Sequence, residues 1–305
     1  MLDDLRRQIS SLERLPSLAG GRDGTTHTAG RTVGSRPVGR RWLLGIDTVD
    51  DQLAPDGMAA GLDTSAVHEV KPDWGSAASS GQATAAACRA AALGFTLTLA
   101  GRLDAGFDTG FDTGMSGGGI AAGFAKVDAP ILWCTTRALS NELGACYGPG
   151  LKGFGIDPGR LLVVETTRAD EVLWALEEGL TSGAIALAIG LLDAVAATPA
   201  RRLTLAAAAH ATPCLLLTHP TRPPALTAAT RWRVGPAPSA AAPFDARSPG
   251  APRFAVRLER CRARPLALAD HRTVMEWCDA TFRFRLATGS GDRAAHPHLA
   301  AAAAG

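Results

Sequence analysis

The apolar positions of the chain fall into successive patterns, each with its own period. Leu2, Leu5, Ile9 and Leu12 recur at three- and four-residue intervals, which predicts an amphipathic helix over 1–16 that stops at Pro16. Residues 17–41 are rich in Gly, Thr and Arg and read as a flexible linker. From Trp42 onward, short apolar runs alternate with helical segments. The runs at 66–70, 130–134, 161–165, 184–190 and 213–219 read as strands, and the intervening 84–99, 138–147, 170–181 and 200–210 as helices. In 170–181, Val172, Leu173, Leu176 and Leu180 share one face; ahead of 200–210, Thr198 is the expected cap and Pro199 the expected first-turn residue. Strands that are apolar on both sides, separated by helices, predict a mostly parallel sheet covered on both faces.

After residue 230 the period changes to two. Trp232 and Val234, then Phe254, Val256 and Leu258, then Phe282, Phe284 and Leu286 alternate with polar neighbours and predict antiparallel strands, the last pair at 274–278 and 281–287. A Pro/Ala-rich loop fills 236–252. The expected organisation is therefore a core over 42–235, a C-terminal β extension over 236–288 and a disordered tail over 289–305. Within the core, 104–119 repeats Gly-Phe-Asp-Thr and ends in a glycine run, the mark of a slipped duplication in a solvated insertion.

Composition narrows the function classes. At 305 residues and 46% hydrophobic content, one substantial core is expected. The net charge of +2 conceals a cation set that is almost wholly arginine, with lysine only at 71, 126 and 152, so the balance reflects coding bias more than a basic DNA-binding face. No apolar run approaches the roughly 20 residues needed to cross a bilayer, so no membrane association is expected. The acidic N-terminus, Met1-Leu-Asp-Asp, is unlike a secretory signal. The cysteines at 88, 134, 146, 214, 261 and 278 form no C-x-x-C pair, and a reduced, cytoplasmic location is expected. The scattered histidines suggest no metal site: His68 reads as a buried, hydrogen-bonded strand residue, and no H-E-x-x-H or G-x-S-x-G motif is present.

The candidate chemistry lies between the first strand and the helix at 84–99. Gly75-Ser-Ala-Ala-Ser-Ser-Gly-Gln-Ala-Thr84 occupies the place of a phosphate-binding loop, in strand, loop, helix order. A working G-x-x-x-x-G-K-[ST] loop cradles phosphate with backbone N–H groups, adds a lysine charge and holds magnesium by a hydroxyl. Here Gly81 is followed by Gln82 and Ala83, so the cation and the metal ligand are both missing. Gly75, Ser79, Ser80, Gly81, Gln82 and Ala83 read as a vestigial nucleotide loop.

Several further segments, in order, carry a resemblance: Gly45-Ile-Asp-Thr-Val-Asp-Asp-Gln-Leu53, Ala66-Val-His-Glu-Val70, Tyr147-Gly-Pro-Gly-Leu151, Leu173-Trp-Ala-Leu-Glu-Glu178 running into Ser182-Gly183-Ala184, Thr230-Arg-Trp-Arg-Val234, and Glu276-Trp-Cys-Asp-Ala280 leading to Arg283-Phe-Arg-Leu286. Over 42–235 the chain resembles the RecA-like core, and to about residue 288 it resembles the ImuA family of bacterial damage-induced mutagenesis proteins. The fold this implies is an α/β, RecA-like P-loop NTPase core, a mostly parallel sheet flanked by helices, with a degenerate nucleotide loop and C-terminal antiparallel strands. Laid on the RecA-like pattern, the loop lysine falls at Gln82, the magnesium hydroxyl at Ala83, the water-orienting glutamate at about Thr136, the aspartate after the fourth strand at Leu191 with Asp193 close by, and the DNA-sensing glutamine at His219. Phosphoryl transfer is chiefly charge placement, so the resemblance implies a relative that is not an enzyme. No cofactor is expected; weak ATP binding is left open, with Lys71 or Lys126 as cations that could lend a charge.

The segments corresponding to DNA-facing loops, 194–199 and 220–230, are short, and weak or no direct DNA contact is expected despite Arg201, Arg202 and Arg222. The resemblance implies an adaptor in error-prone translesion synthesis, within the bacterial SOS response, recruited from cytoplasm to nucleoid. Its implied companions are an ImuB-like Y-family polymerase homologue, an error-prone replicative-type polymerase and RecA. Leu2, Leu5, Ile9 and Leu12, with Trp277 and Phe282, are the expected contact surfaces. The alternatives are an ATP-dependent DNA-binding RecA paralogue and a SulA-like division inhibitor.

Overall fold

The computed structural model describes residues 41–55, 58–74, 84–104, 129–242, 245–263 and 272–287, together with Arg7. The helix expected over 1–16 (Arg7 aside), the linker as far as residue 40, the nucleotide loop 75–83, the insertion beyond residue 104 and the tail 289–305 lie outside the described residues.

Thirteen strands are described, nine of them in one sheet. A short pair, β1 (Arg41–Trp42) and β2 (Leu62–Asp63), flanks α1 (Asp47–Asp50). Then come β3 (Val67–Pro72), α2 (Ala85–Asp104), β4 (Ile131–Thr136), α3 (Arg137–Leu143), α4 (Gly148–Gly153), β5 (Leu161–Thr166), α5 (Ala169–Ser182), β6 (Leu187–Leu192), α6 (Ala197–Ala209), β7 (Cys214–Thr218) and β8 (Thr230–Ala237). The C-terminal part adds a small pair, β9 (Ala241–Ala242) with β10 (Asp245–Pro249), followed by β11 (Arg253–Cys261), β12 (Thr273–Cys278) and β13 (Arg283–Leu286). The order across the sheet is β13-β12-β11-β8-β3-β7-β6-β4-β5. From β8 to β5 all neighbours are parallel; from β8 to β13 they are antiparallel. This is the mostly parallel α/β sheet with antiparallel C-terminal strands that the sequence predicts. One detail differs: β8 alternates as an antiparallel strand should, yet runs parallel to β3 and antiparallel only to β11.

Successive side chains of a strand point to opposite faces, so the continuous apolar runs divide between two cores. Leu187, Ile189, Leu191, Leu215 and Leu217 join Phe95 and Leu99 of α2 on one face. Ala188, Leu192, Cys214 and Leu216 join Val172, Leu176 and Leu203 of α5 and α6 on the other. Helix α5 ends at Gly183, whose φ of +67° is left-handed and whose Cβ, if present, would lie 2.7 Å from the His210 ring.

Several boundaries shift. The expected 138–147 helix is two short helices, because Gly144 at φ +90° ends α3. Thr198 does not cap α6: the cap position is Ala196, without a side-chain bond, and Thr198 and Pro199 are inside the first turn. The run at 184–190 forms a strand only from Leu187, although Ile185 is fully buried ahead of it. The 161–165 run is an edge strand, β5, paired among the described residues with β4 alone.

The C-terminal strands extend the α2 face with an aromatic cluster. Phe95 lies 5.8 Å from Trp232, 5.9 Å from Phe254 and 5.3 Å from Phe284, and Trp277 lies 5.2 Å from Phe284. Trp277, read from sequence as a contact surface, is 1% exposed and belongs to the core instead. Phe282, half-buried 6.2 Å from Trp277, holds the hairpin turn at φ +48°.

Candidate functional site

Strands β3, β4, β6 and β7 point their C-terminal ends the same way, and open α/β sheets place their clefts along such an edge. A small, half-open cleft lies there. Its walls are mostly apolar: Leu139 and Leu143 of α3, Leu191 and Leu192 of β6, and Leu217 of β7. Its polar rim is Arg89, Glu142, Asp193, Thr218 and His219. Arg89, in the second turn of α2, forms an ion pair with Glu142 of α3. Its guanidinium also stacks over Trp74 at 5.6 Å, and Trp74 meets His219 edge-on at 5.1 Å. Desolvation holds the His219 pKa below its ordinary value, and its Nδ1 accepts from the backbone N–H of Thr221 at 3.3 Å.

The residues singled out from sequence are distributed around this edge. Gly75, Ser79, Ser80, Gly81, Gln82 and Ala83 lie outside the described residues, as do Leu2, Leu5, Ile9 and Leu12. Thr136 ends β4 and uses its hydroxyl to accept from the N–H of Leu139, capping α3. Leu191 is buried in β6 and lines the cleft. Asp193 is exposed just beyond β6, and its carbonyl accepts from the N–H of His219 at 3.0 Å. Among the described residues no group of three or more His, Cys, Asp or Glu could hold a metal ion, and no helix is long and apolar enough to cross a membrane.

Sequence reasoning missed a charge network on β3. Glu69 and Lys71 are both fully buried, on the α6 side of the sheet where apolar residues are the rule. Glu69 Oε1 accepts from Thr218 Oγ1 at 2.7 Å, Oε2 accepts from Arg231 Nε at 2.7 Å, and both accept from the N–H of Ala225 at 3.1 Å. Lys71 Nζ lies 3.7 Å from Glu69 Oε1 and donates to Thr218 Oγ1 at 3.2 Å and to the Arg222 carbonyl at 3.0 Å. Desolvation pushes the Lys71 pKa down, opposed by the Glu69 charge. Lys71 is thereby committed to Thr218, Glu69 and the loop over 219–229. The only hint in sequence is the run Val-His-Glu-Val-Lys, with charges at alternate positions of an otherwise apolar strand.

On the opposite face of β3, His68 is fully buried. His68 Nε2 donates to the Asp63 carbonyl at 2.9 Å, so in the neutral ring Nδ1 accepts from the Thr230 hydroxyl at 2.8 Å, and Thr230 Oγ1 in turn accepts from Trp232 Nε1 at 3.0 Å. Every polar atom in this chain is satisfied with the imidazole neutral. His68 thus holds the strand pair in place and has no room for a ligand.

Fold and site together define an α/β protein whose cleft, at the C-terminal ends of the parallel strands, is mostly apolar inside and carries an arginine–glutamate pair among its lining residues. Comparison with models of known protein families gives no match. Protein ImuA of Caulobacter vibrioides, in strains NA1000 / CB15N and ATCC 19089 / CIP 103742 / CB 15, is 33% identical to the chain over 144 residues, covering 43% of this chain and 55% of ImuA. The chain therefore spans about half the length of the curated relatives it matches. Among solved structures, the RadB recombinase aligns at 12% identity and a TM-score of 0.44, over 78% of this chain and 96% of that one.

Proposed function

We propose that this chain is a non-catalytic, RecA-like adaptor of the ImuA type, acting in damage-induced error-prone translesion synthesis. The observation that carries the reading is the state of the nucleotide edge. Phosphoryl transfer needs a cation on the phosphates, a metal ligand and an acid that orients water. At the corresponding positions the chain has Gln82, Ala83, a Thr136 already used as a helix cap, and Leu191 inside an apolar wall. Lys71, one of the two lysines that could lend a charge, is held by Glu69, Thr218 and the Arg222 carbonyl. The partial identity to ImuA supplies the biological setting. In that setting the companions are an ImuB-like polymerase homologue, an error-prone replicative-type polymerase and RecA, met at the nucleoid of a bacterial cytoplasm.

Purified protein is expected to hydrolyse ATP no faster than a buffer blank, and Gln82→Ala is expected to retain damage-induced mutagenesis in cells. Steady turnover that Gln82→Ala abolishes would sink the adaptor reading in favour of an ATP-dependent recombinase paralogue. Capture of the tubulin-like division protein, with mutagenesis unaffected by deleting the gene, would favour a division inhibitor.

A further inference from the structure

The 219–229 loop is anchored at several points along its backbone. Its polar backbone is held by buried Lys71 on the Arg222 carbonyl and buried Glu69 on the Ala225 N–H, and by half-buried Arg231 on the Ala225 carbonyl at 3.1 Å and Arg233 on the Pro220 carbonyl at 2.7 Å. It is held from the side by α6, where Thr227 Oγ1 donates to the Ala200 carbonyl at 2.9 Å and Thr204 Oγ1 donates to Thr227 Oγ1 at 2.9 Å. Within the loop, Ala225 and Ala228 are buried. Burying a glutamate and a lysine is costly, and a well-packed apolar pair would fill the same space. The distinctive product of the charges is the loop's fixed conformation.

That conformation turns apolar surface outward. Leu226 of the loop is 59% exposed, and Leu205, one residue beyond the α6 threonine that binds the loop, is 64% exposed. Arg201 stands one helical turn before Leu205, Arg222 lies four residues before Leu226 in the loop, and Arg262 Nη2 reaches the Thr227 carbonyl at 2.8 Å; all three arginines are exposed. Among the described residues neither Arg201 nor Arg222 has a carboxylate partner, whereas Arg202 on the same helix is paired with Glu177 at 2.8 Å. Exposed leucines on a helix and a loop that the Thr204–Thr227 hydrogen bond joins, together with arginines that lack a carboxylate partner among the described residues, are complementary to a segment that pairs apolar side chains with carboxylates. A loop ordered before binding loses little conformational entropy when it is met.

We propose that the 219–229 loop and the outer face of α6 form a preformed docking surface for an acidic, leucine-bearing segment of a protein partner. Apolar anchors enter between Leu205 and Leu226, and carboxylates meet Arg201, Arg222 and Arg262. Nucleic acid would use the same arginines but leave both leucines uncovered.

The test uses the full chain in bacterial cells that carry its gene, with Leu205 or Leu226 replaced by a photo-crosslinking benzoyl-phenylalanine and Val163 on β5 as the control position. Irradiation is expected to give, from both 205 and 226 but not 163, an adduct with one protein whose crosslinked peptide bears Asp or Glu beside apolar residues. Arg201→Glu with Arg222→Glu is expected to lower its yield at least tenfold while leaving the melting temperature unchanged, both side chains being exposed. Hydrogen exchange on the purified chain is expected to show the Ala225 amide protected before any partner is added. A nucleic-acid adduct, no adduct from either position, a crosslinked peptide without acidic residues, a yield indifferent to charge reversal, or an unprotected Ala225 amide would each overturn the proposal.

Discussion

The residue with the plainest thermodynamic signature is His68. Burial is the leading cause of a pKa lowered from 6.5 to about 4, so the native state holds the ring neutral while the unfolded chain takes up a proton near pH 6.5. Between those values the unfolded state binds more protons. Stability from this group is therefore complete above about pH 6.5 and is lost as pH falls toward 4, by up to about 3 kcal/mol. Urea titrations at pH 7 and pH 4.5 are expected to show this loss in the parent chain and a smaller one in His68→Gln, whose amide cannot take up a proton in this range. Equal losses in both would mean that His68 is not held neutral. The burial of His68 is readable from sequence, because a lone histidine in an apolar strand has nowhere else to go. The Glu69 and Lys71 network is not: Thr218, Arg222, Ala225 and Arg231 are about 150 to 160 residues away along the chain, brought beside β3 only by the strand order.

At the scale of elements, period two after residue 230 identifies β8, β11, β12 and β13, but period alone does not say which side of each strand is covered. Phe95 of α2 makes that choice: it packs on Trp232, Phe254 and Phe284, and so turns the Trp277 side of the hairpin inward. Trp277→Ala is thus expected to destabilise the whole chain by about 3–5 kcal/mol, as large-to-small changes in packed cores do. Leu286→Ser, at a position 48% exposed, is expected to leave urea stability nearly unchanged. A Trp277→Ala chain with the parent's urea midpoint would return Trp277 to the surface. Strand β5 shows the converse ambiguity. Leu-Leu-Val-Val-Glu-Thr reads as a doubly covered strand, yet it ends the sheet with Val163 49% exposed, because position in the strand order is not written in a strand's own sequence.

For the whole molecule, the amphipathic stripe at Leu2, Leu5, Ile9 and Leu12 poses a question that melting and capture answer together. Removing residues 1–16 is expected to leave the melting temperature unchanged and to weaken capture of the ImuB-like homologue or of RecA. A lowered melting temperature with capture intact would mean that the helix packs on its own domain. By itself, the sequence determined the alternation of strands and helices and the change to a two-residue side-chain period near residue 230. Each of these is a local matter of side-chain period or residue type. The tertiary structure alone decided the strand order, the edge position of β5, the burial of Trp277 and the meeting of Glu69 with Lys71, Thr218 and Arg231 beneath the 219–229 loop. These depend on which distant segments lie side by side, and side-chain period carries no information about that.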